Sequence, residues 1–230
     1  MDLKKAGNYC LDLLFPPRCV FCGQIVAPGT QICGKCAAEV SAAGTMHCIG
    51  IPAGERTVPC VFLYAYQGTV RDSIIRYKFF GEKQSSGFYA RRLAGAVAKA
   101  VPALQADLVT SVPLQKDRLK ERGYDQSGLV AEQFAQALGL PYARCLQKIR
   151  SNRVQHMLSL GERRSNVRGA YSIAGREMAG KRLFLVDDIV TSGSTFGECC
   201  RLLLEGGAES VACVAIAATP KEQVEKSDPV

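Results

Sequence analysis

The sequence predicts an α/β fold: a mostly parallel sheet flanked by helices, preceded by a small N-terminal module rich in cysteine. Three observations lead there. Continuous apolar runs recur at residues 60–66 (CVFLYAY), 108–112 (LVTSV), 183–187 (LFLVD) and 210–218 (SVACVAIAA), the pattern of strands buried on both faces. Segments of helical period lie between them, the alternation that builds a parallel sheet covered on both sides. Seven of the eleven cysteines fall in residues 1–60, where Gly and Pro are frequent and periodicity is weak, so a different principle organises that segment.

In chain order the cysteine module comes first. Cys19-Val20-Phe21-Cys22-Gly23 and Cys33-Gly34-Lys35-Cys36 form two C-x-x-C pairs with ten residues between them. Each pair turns tightly enough to aim two thiolates at one metal, and the glycines free backbone N–H groups to donate to sulfur. Cys19, Cys22, Cys33 and Cys36 are therefore read as a tetrahedral Zn²⁺ site. A redox C-x-x-C needs only one pair, and scattered core cysteines rarely give two. Four thiolates leave no open coordination position, so the zinc is expected to be structural. His47, Cys48 and Cys60 are candidates for a second, incomplete site, but they form no C-x-x-C pair and are read as non-ligands. Cys10, Cys145, Cys199, Cys200 and Cys213 lie in apolar patterns and are read as core.

The regular pattern begins at the buried strand 60–66, closed by Gly68, and continues with helices at 69–78 and 86–101. Strand 108–112 is ended by Pro113. Helix 128–138 places Val130, Phe134, Ala137 and Leu138 on one face and is stopped by Gly139 and Pro141. Strand 183–187, helix 195–205 ending at Gly206–Gly207, and strand 210–218 complete the series. The last ten residues, KEQVEKSDPV, are polar. The expected division is a zinc-binding module at 1–58, an α/β domain at 59–220 and a polar tail at 221–230.

Composition narrows the function. Of 230 residues 47% are hydrophobic, enough for one full core and an appendage, and only 22% are charged, which excludes wholesale disorder. Aromatics make up 7% with no Trp, which argues against an extensive base-stacking surface. The net charge of +8 is uneven: residues 61–180 carry nineteen Lys/Arg against nine Asp/Glu. A basic middle suits polyanions such as pyrophosphate, nucleotides or a nucleic-acid backbone, although for any single side chain a solvated surface position is the simpler reading. No run of eighteen apolar residues exists, and the start, MDLKKAGNYCLDLLFPP, is broken by Asp12 and lacks a small-residue cleavage site. No membrane insertion and a cytoplasmic location are expected.

The chemistry concentrates in Leu183-Phe184-Leu185-Val186-Asp187-Asp188-Ile189-Val190-Thr191-Ser192-Gly193-Ser194-Thr195. An apolar strand delivers two carboxylates to its carboxyl end, where open α/β sheets bind ligands. A loop of small hydroxyl residues around Gly193 then opens a helix. Successive N–H groups at a helix start cradle an anion. Gly193 permits a left-handed backbone. The hydroxyls of Thr191, Ser192 and Thr195 can donate to phosphate, while Asp187 and Asp188 can accept from a ribose diol or hold Mg²⁺ accompanying pyrophosphate. A strand ended by a turn and a Ser/Thr cap would need one hydroxyl residue, not two acids and four Ser/Thr. Neither a G-x-x-x-x-G-K-[ST] loop nor a G-x-G-x-x-G fingerprint occurs.

This motif resembles that of the type I phosphoribosyltransferases. The resemblance implies a phosphoribosyltransferase-like sheet, ribose-diol roles for Asp187 and Asp188, and 5-phosphate binding by Thr191, Ser192, Gly193, Ser194 and Thr195. The pyrophosphate-loop position is Ser111-Val112-Pro113-Leu114, which carries no basic residue. Two polar, basic segments could compensate. Residues 113–126 contain Arg118, Arg122 and Gln126, and residues 148–171 contain Lys148, Arg150, Arg153, Gln155, Arg163, Arg164, Asn166 and Arg168. They are expected as loops over the phosphate site with Arg118, Arg122 and Gln126 contacting substrate, or as a nucleic-acid patch, or as solvated surface.

Over nearly its whole length the chain resembles the ComF family. The resemblance runs through LDLLFPPRC, the C-x-x-C pairs, Arg76-Tyr77-Lys78 with Gly81, and Val112-Pro113-Leu114. It continues through Arg122-Gly123-Tyr124-Asp125-Gln126, Gln155, Arg163 with Asn166, and DDIVTSGST. The family usually has Arg-Gly-Phe-Asn-Gln where this chain has Arg-Gly-Tyr-Asp-Gln, and its frequent second cysteine cluster is reduced here to Cys48 and Cys60, so one zinc is expected. The resemblance implies a phosphoribosyltransferase that binds 5-phosphoribosyl-1-pyrophosphate with Mg²⁺ and acts in DNA uptake during natural transformation. Single-stranded DNA and other DNA-uptake proteins are its implied partners. The alternative is a non-catalytic module binding single-stranded DNA or a nucleotide phosphate.

Overall fold

A computed structural model describes residues 16–42, 46–100, 104–150 and 167–220. The elements are α1 (Gly34–Ala42), β1 (His47–Ala53), β2 (Arg56–Ala65), α2 (Gly68–Phe79), α3 (Ser85–Ala100), β3 (Leu108–Ser111), α4 (Lys116–Arg122) and α5 (Gln126–Leu138). There follow β4 (Leu146–Lys148), β5 (Tyr171–Ile173), β6 (Arg182–Val190), α6 (Ser194–Glu205) and β7 (Ser210–Ala218). The main sheet has the order β1-β2-β7-β6-β3, and β4 and β5 form a separate antiparallel pair. Within the main sheet β2, β7, β6 and β3 run parallel, and β1 adds an antiparallel edge. The mostly parallel α/β arrangement expected from the sequence is the one found.

Strand β7 shows why the apolar runs are continuous. Ala212, Val214 and Ile216 face one cluster with α2, α3 and α5, while Val211, Cys213 and Ala215 face the other with α6 and the β4–β5 pair. Both faces of a period-two strand are thus covered, and no polar alternation survives. Helix α5 begins where Asp125 Oδ1 accepts from the Gly128 N–H at 3.0 Å and ends at the left-handed Gly139, φ 69°.

Three readings are corrected. Strand β6 does not end at Asp187, the bound read from the sequence: Ile189 and Val190 stay in register with Ala217 and Ala218 of β7. Residues 47–53 carry no strand signal, being interrupted by Gly50 and Pro52, yet they pair with β2 along their length. Residues 116–122 form α4, where a loop over the phosphate site is expected. Arg153, Gln155, Arg163, Arg164, Asn166, Cys10 and the polar tail lie outside the described residues. Among the described residues no helix is long and apolar enough to cross a membrane.

Candidate functional site

The end of β6 gathers charge from three elements. Asp187 Oδ1 accepts from the Ser127 hydroxyl at the start of α5 at 2.6 Å, and from the Asp188 N–H at 2.8 Å. Asp188 meets the Lys78 ammonium at the end of α2 at 2.9 Å. Both partners of that pair are largely enclosed, with side-chain exposures of 17% and 10%. Burial pushes the Asp187 carboxyl up to about 7, and the charge on Asp188 adds to the rise, while Ser127 and Lys78 oppose it. Two carboxylates facing one ammonium leave a site with capacity for hydroxyl donors or a cation.

The following turn is shaped for an anion. Gly193 takes φ 75° as the N-cap of α6, and its carbonyl accepts from the Gly197 N–H at 2.8 Å. Ser192 Oγ and Ser194 Oγ stand 2.9 Å apart, Thr191 is exposed and Thr195 is half-buried beneath the Tyr171 hydroxyl. The unpaired N–H groups of a helix start and its dipole favour negative charge at this place. A cavity of ≈ 300 Å³ opens on its flank, lined by Ser192, Ser194, Arg168 and Arg201. Glu198 shares that cavity. Burial would raise its carboxyl, but Arg201 and the Gly169 N–H outweigh burial and hold it low, so it stays an engaged carboxylate.

The strand β3 end contributes Ser111, whose hydroxyl lies 2.9 Å from the Tyr142 hydroxyl, beside a cavity of ≈ 570 Å³ that also takes in Pro113, Leu114, Asp125, Arg144 and Lys148. Arg122 donates from Nη1 to Gln126 Oε1 at 2.9 Å, and its guanidinium lies 4.7 Å from the Phe79 ring centre. Gln126 is buried and donates to the Tyr124 carbonyl. Arg118 is placed differently: it pairs with Glu121 on the exposed face of α4 at 2.8 Å. Lys148 stands 5.3 Å from the Tyr171 ring centre; burial holds its ammonium below the ordinary lysine range, and Asp187 is among the charges opposing that. Sequence reasoning gives no role to Ser127; Lys78 enters it only through the Arg76-Tyr77-Lys78 likeness, and Lys148 only as one of the basic residues of segment 148–171.

The four module cysteines converge. Their sulfurs all lie within 4.8 Å of one another, and Cys22 and Cys33 are 3.7 Å apart. Tetrahedral Zn–S bonds of ≈ 2.3 Å would set sulfurs about 3.8 Å apart, so this donor set fits zinc. Burial raises the Cys19 thiol, but the N–H groups of Cys33, Cys22 and Phe21 outweigh it and bring the thiol down to about 6, the form a metal requires. The Cys36 thiol is raised by burial and by its neighbouring sulfurs. His47 instead stacks on Phe62 with ring centres 5.1 Å apart, Cys48 is exposed and Cys60 is buried against Cys213. Among the described residues these three form no metal-ligating group.

Comparison with known proteins agrees with this geometry. The family model described as phosphoribosyl transferase domain matches residues 93–230, and the double zinc ribbon domain matches residues 10–59. The chain is 30% identical over 201 residues to Competence protein F of Haemophilus influenzae, covering 85% of this chain and 82% of that protein. It is 28% identical over 210 residues to DNA utilization protein YhgH of Salmonella typhi, covering 84% and 86%. The YhgH protein of Escherichia coli is 29% identical over 219 residues, covering 86% and 96%.

Proposed function

We propose, from the premise that the chain belongs to the phosphoribosyl transferase domain family and within it to the ComF family, that it binds 5-phosphoribosyl-1-pyrophosphate with Mg²⁺ at the end of β6. One observation carries the reading: two carboxylates, a left-handed glycine and the first turn of a helix follow one another on a continuous stretch of chain. Asp187 and Asp188 accept from the two ribose hydroxyls. Lys78 holds Asp188 in an ion pair and Ser127 fixes the rotamer of Asp187. Thr191, Ser192, Ser194 and Thr195, with the N–H groups around Gly193, take the 5-phosphate. Arg122, held by Gln126 and Phe79, serves the pyrophosphate; Gln126 is buried and acts through Arg122, and Arg118 joins them only on leaving Glu121. Mg²⁺, when bound, neutralises pyrophosphate charge, and Asp187 and Asp188 are the residues that would face it.

A site of this kind supports phosphoribosyl transfer: the bond from ribose C1 to pyrophosphate breaks and one to an acceptor forms, with positioning and charge stabilisation supplying the rate. A second reading, a non-catalytic module for single-stranded DNA or a nucleotide phosphate, is favoured by Arg118 being engaged with Glu121 and by the absence of a basic residue in Ser111–Leu114. In either case we place the protein in the cytoplasm, in DNA uptake, beside single-stranded DNA and other uptake proteins. The relatives named for competence and DNA utilization support the role in DNA uptake. Of the expected division, the zinc module within residues 1–58 also lends β1 and the start of β2 to the main sheet, and 59–220 serve as the rest of the ligand-binding domain.

The test is calorimetric titration of the zinc-loaded protein with 5-phosphoribosyl-1-pyrophosphate and Mg²⁺, beside the Asp187→Asn/Asp188→Asn variant. Binding by the native chain, and its loss in the variant, is expected. Absence of native binding overturns the reading and leaves single-stranded DNA as the ligand to titrate.

A further inference from the structure

The knuckle between the first two cysteines is not free-standing. The carbonyls of Val20 and Phe21, the two residues between Cys19 and Cys22, both accept from Arg76 Nη2 at 2.9 Å. The Ser73 hydroxyl, one turn earlier on α2, also donates to the Val20 carbonyl. Arg76 is anchored from its other side by Glu82, 3.1 Å from its Nε. Its side chain is only 24% exposed. The donors therefore reach the knuckle from inside the fold.

The next two residues of the same helical turn face the proposed ligand site. The Tyr77 hydroxyl donates to the Gln126 carbonyl at 2.8 Å, at the start of α5, and the neighbouring Ser127 holds Asp187. Lys78 holds Asp188 at 2.9 Å. Successive residues on a helix point about 100° apart, so one turn of α2 addresses three partners at once. Arg76 takes the cysteine knuckle, Tyr77 the α5 start and Lys78 the carboxylate.

We propose that Arg76 is a positioning residue: through it the Cys19–Cys22 knuckle fixes the last turn of α2, so that the state of the four-sulfur cluster is felt at Asp188. A metal held by Cys19, Cys22, Cys33 and Cys36 would close the knuckle; the knuckle presents two carbonyls, and Arg76 converts their position into the position of Lys78. Opening the cluster removes the acceptors of Arg76 and releases that turn. The link itself is structural and stands without a ligand. Its consequence for binding rests on the reading given under Proposed function.

Hydrogen exchange and titration on the full chain separate the two. In Arg76→Met, zinc content should stay full, while exchange at the amides of residues 77–80 accelerates. Affinity for 5-phosphoribosyl-1-pyrophosphate with Mg²⁺ should fall about five- to tenfold, the lower end of coupling between distinct sites. Arg76→Lys, which keeps a donor, should recover part of both effects. Chelating zinc from the native chain should accelerate the same amides, and should add nothing there in Arg76→Met. Native protection at 77–80 in zinc-loaded Arg76→Met overturns the proposal. So does chelation that speeds exchange in residues 16–42 and leaves 77–80 unchanged, an arm that decides the matter even if Arg76→Met does not fold. If the native chain binds no 5-phosphoribosyl-1-pyrophosphate, the proposed function fails while the exchange arm still decides the link.

Discussion

Asp187 and Asp188 are neighbours in sequence and unequal in environment. Asp188 has Lys78, whereas Asp187 has a hydroxyl, an N–H and the charge of Asp188 beside it. Burial therefore carries Asp187 up to about 7, above the ≈ 3.9 of an unfolded chain. The folded state then binds more protons than the unfolded state between those values, so stability falls as pH rises through that window. Thermal unfolding followed from pH 5 to pH 8 should show a declining Tm, and Asp187→Asn should flatten the decline and melt higher at pH 8. A Lys78→Met variant leaves Asp188 enclosed without its cation and should lose about 3 kcal/mol in urea unfolding, part of it restored by adding Asp188→Asn. The acids and hydroxyls were legible in the sequence because they are contiguous. Lys78 and Ser127 were not, because they meet the acids only through tertiary folding, and no local pattern marks a lysine at a helix end as an ion-pair partner.

The strands and helices with strong apolar period could be read closely: α5, α6 and β7 appear where the sequence puts them. The elements that escaped are those whose stability is not written in their own pattern. Helix α4, KDRLKER, is polar and exposed on most of its surface, and β1 is an edge strand with Gly and Pro inside it. Yet β1 shapes the candidate site. A Cβ at Gly197 would collide with the Pro52 carbonyl oxygen, and one at Gly193 would lie 2.9 Å from Ile51 Cδ1. The start of α6 can press against β1 only because both positions lack side chains. Gly197→Ala meets rigid backbone and should cost about 1–3 kcal/mol by overpacking. Gly193→Ala adds the penalty of a left-handed alanine, about 1 kcal/mol more. Both should weaken binding of the 5-phosphate, and denaturant unfolding beside titration with 5-phosphoribosyl-1-pyrophosphate checks both.

At the scale of the whole molecule the cysteine module is a unit in sequence and a part of the core in packing. Phe21, from inside the first knuckle, is fully buried and sits edge-on to Tyr64 of β2 and Phe88 of α3, with ring centres 5.5 and 5.6 Å away. Cys19, Val20, Cys36 and Val40 join the same apolar cluster as Tyr77, Tyr89 and Phe184. The cysteine spacing predicts a metal site but is silent on this docking, since a single Phe between two cysteines has no periodicity to betray its burial. The consequence is cooperative unfolding. A knuckle that merely hung from the sheet would melt separately, leaving the main transition in place. A knuckle that supplies Phe21 to the core should unfold with it. Phe21→Ala removes a buried aromatic and should cost about 3–5 kcal/mol. At roughly 2–4 °C per kcal/mol for a chain of this size, that lowers the single Tm by about 6–20 °C. Scanning calorimetry of Phe21→Ala should give one transition, shifted down, with zinc still bound at low temperature. Two transitions, the upper one at the native Tm, would show the module and the sheet to be energetically independent.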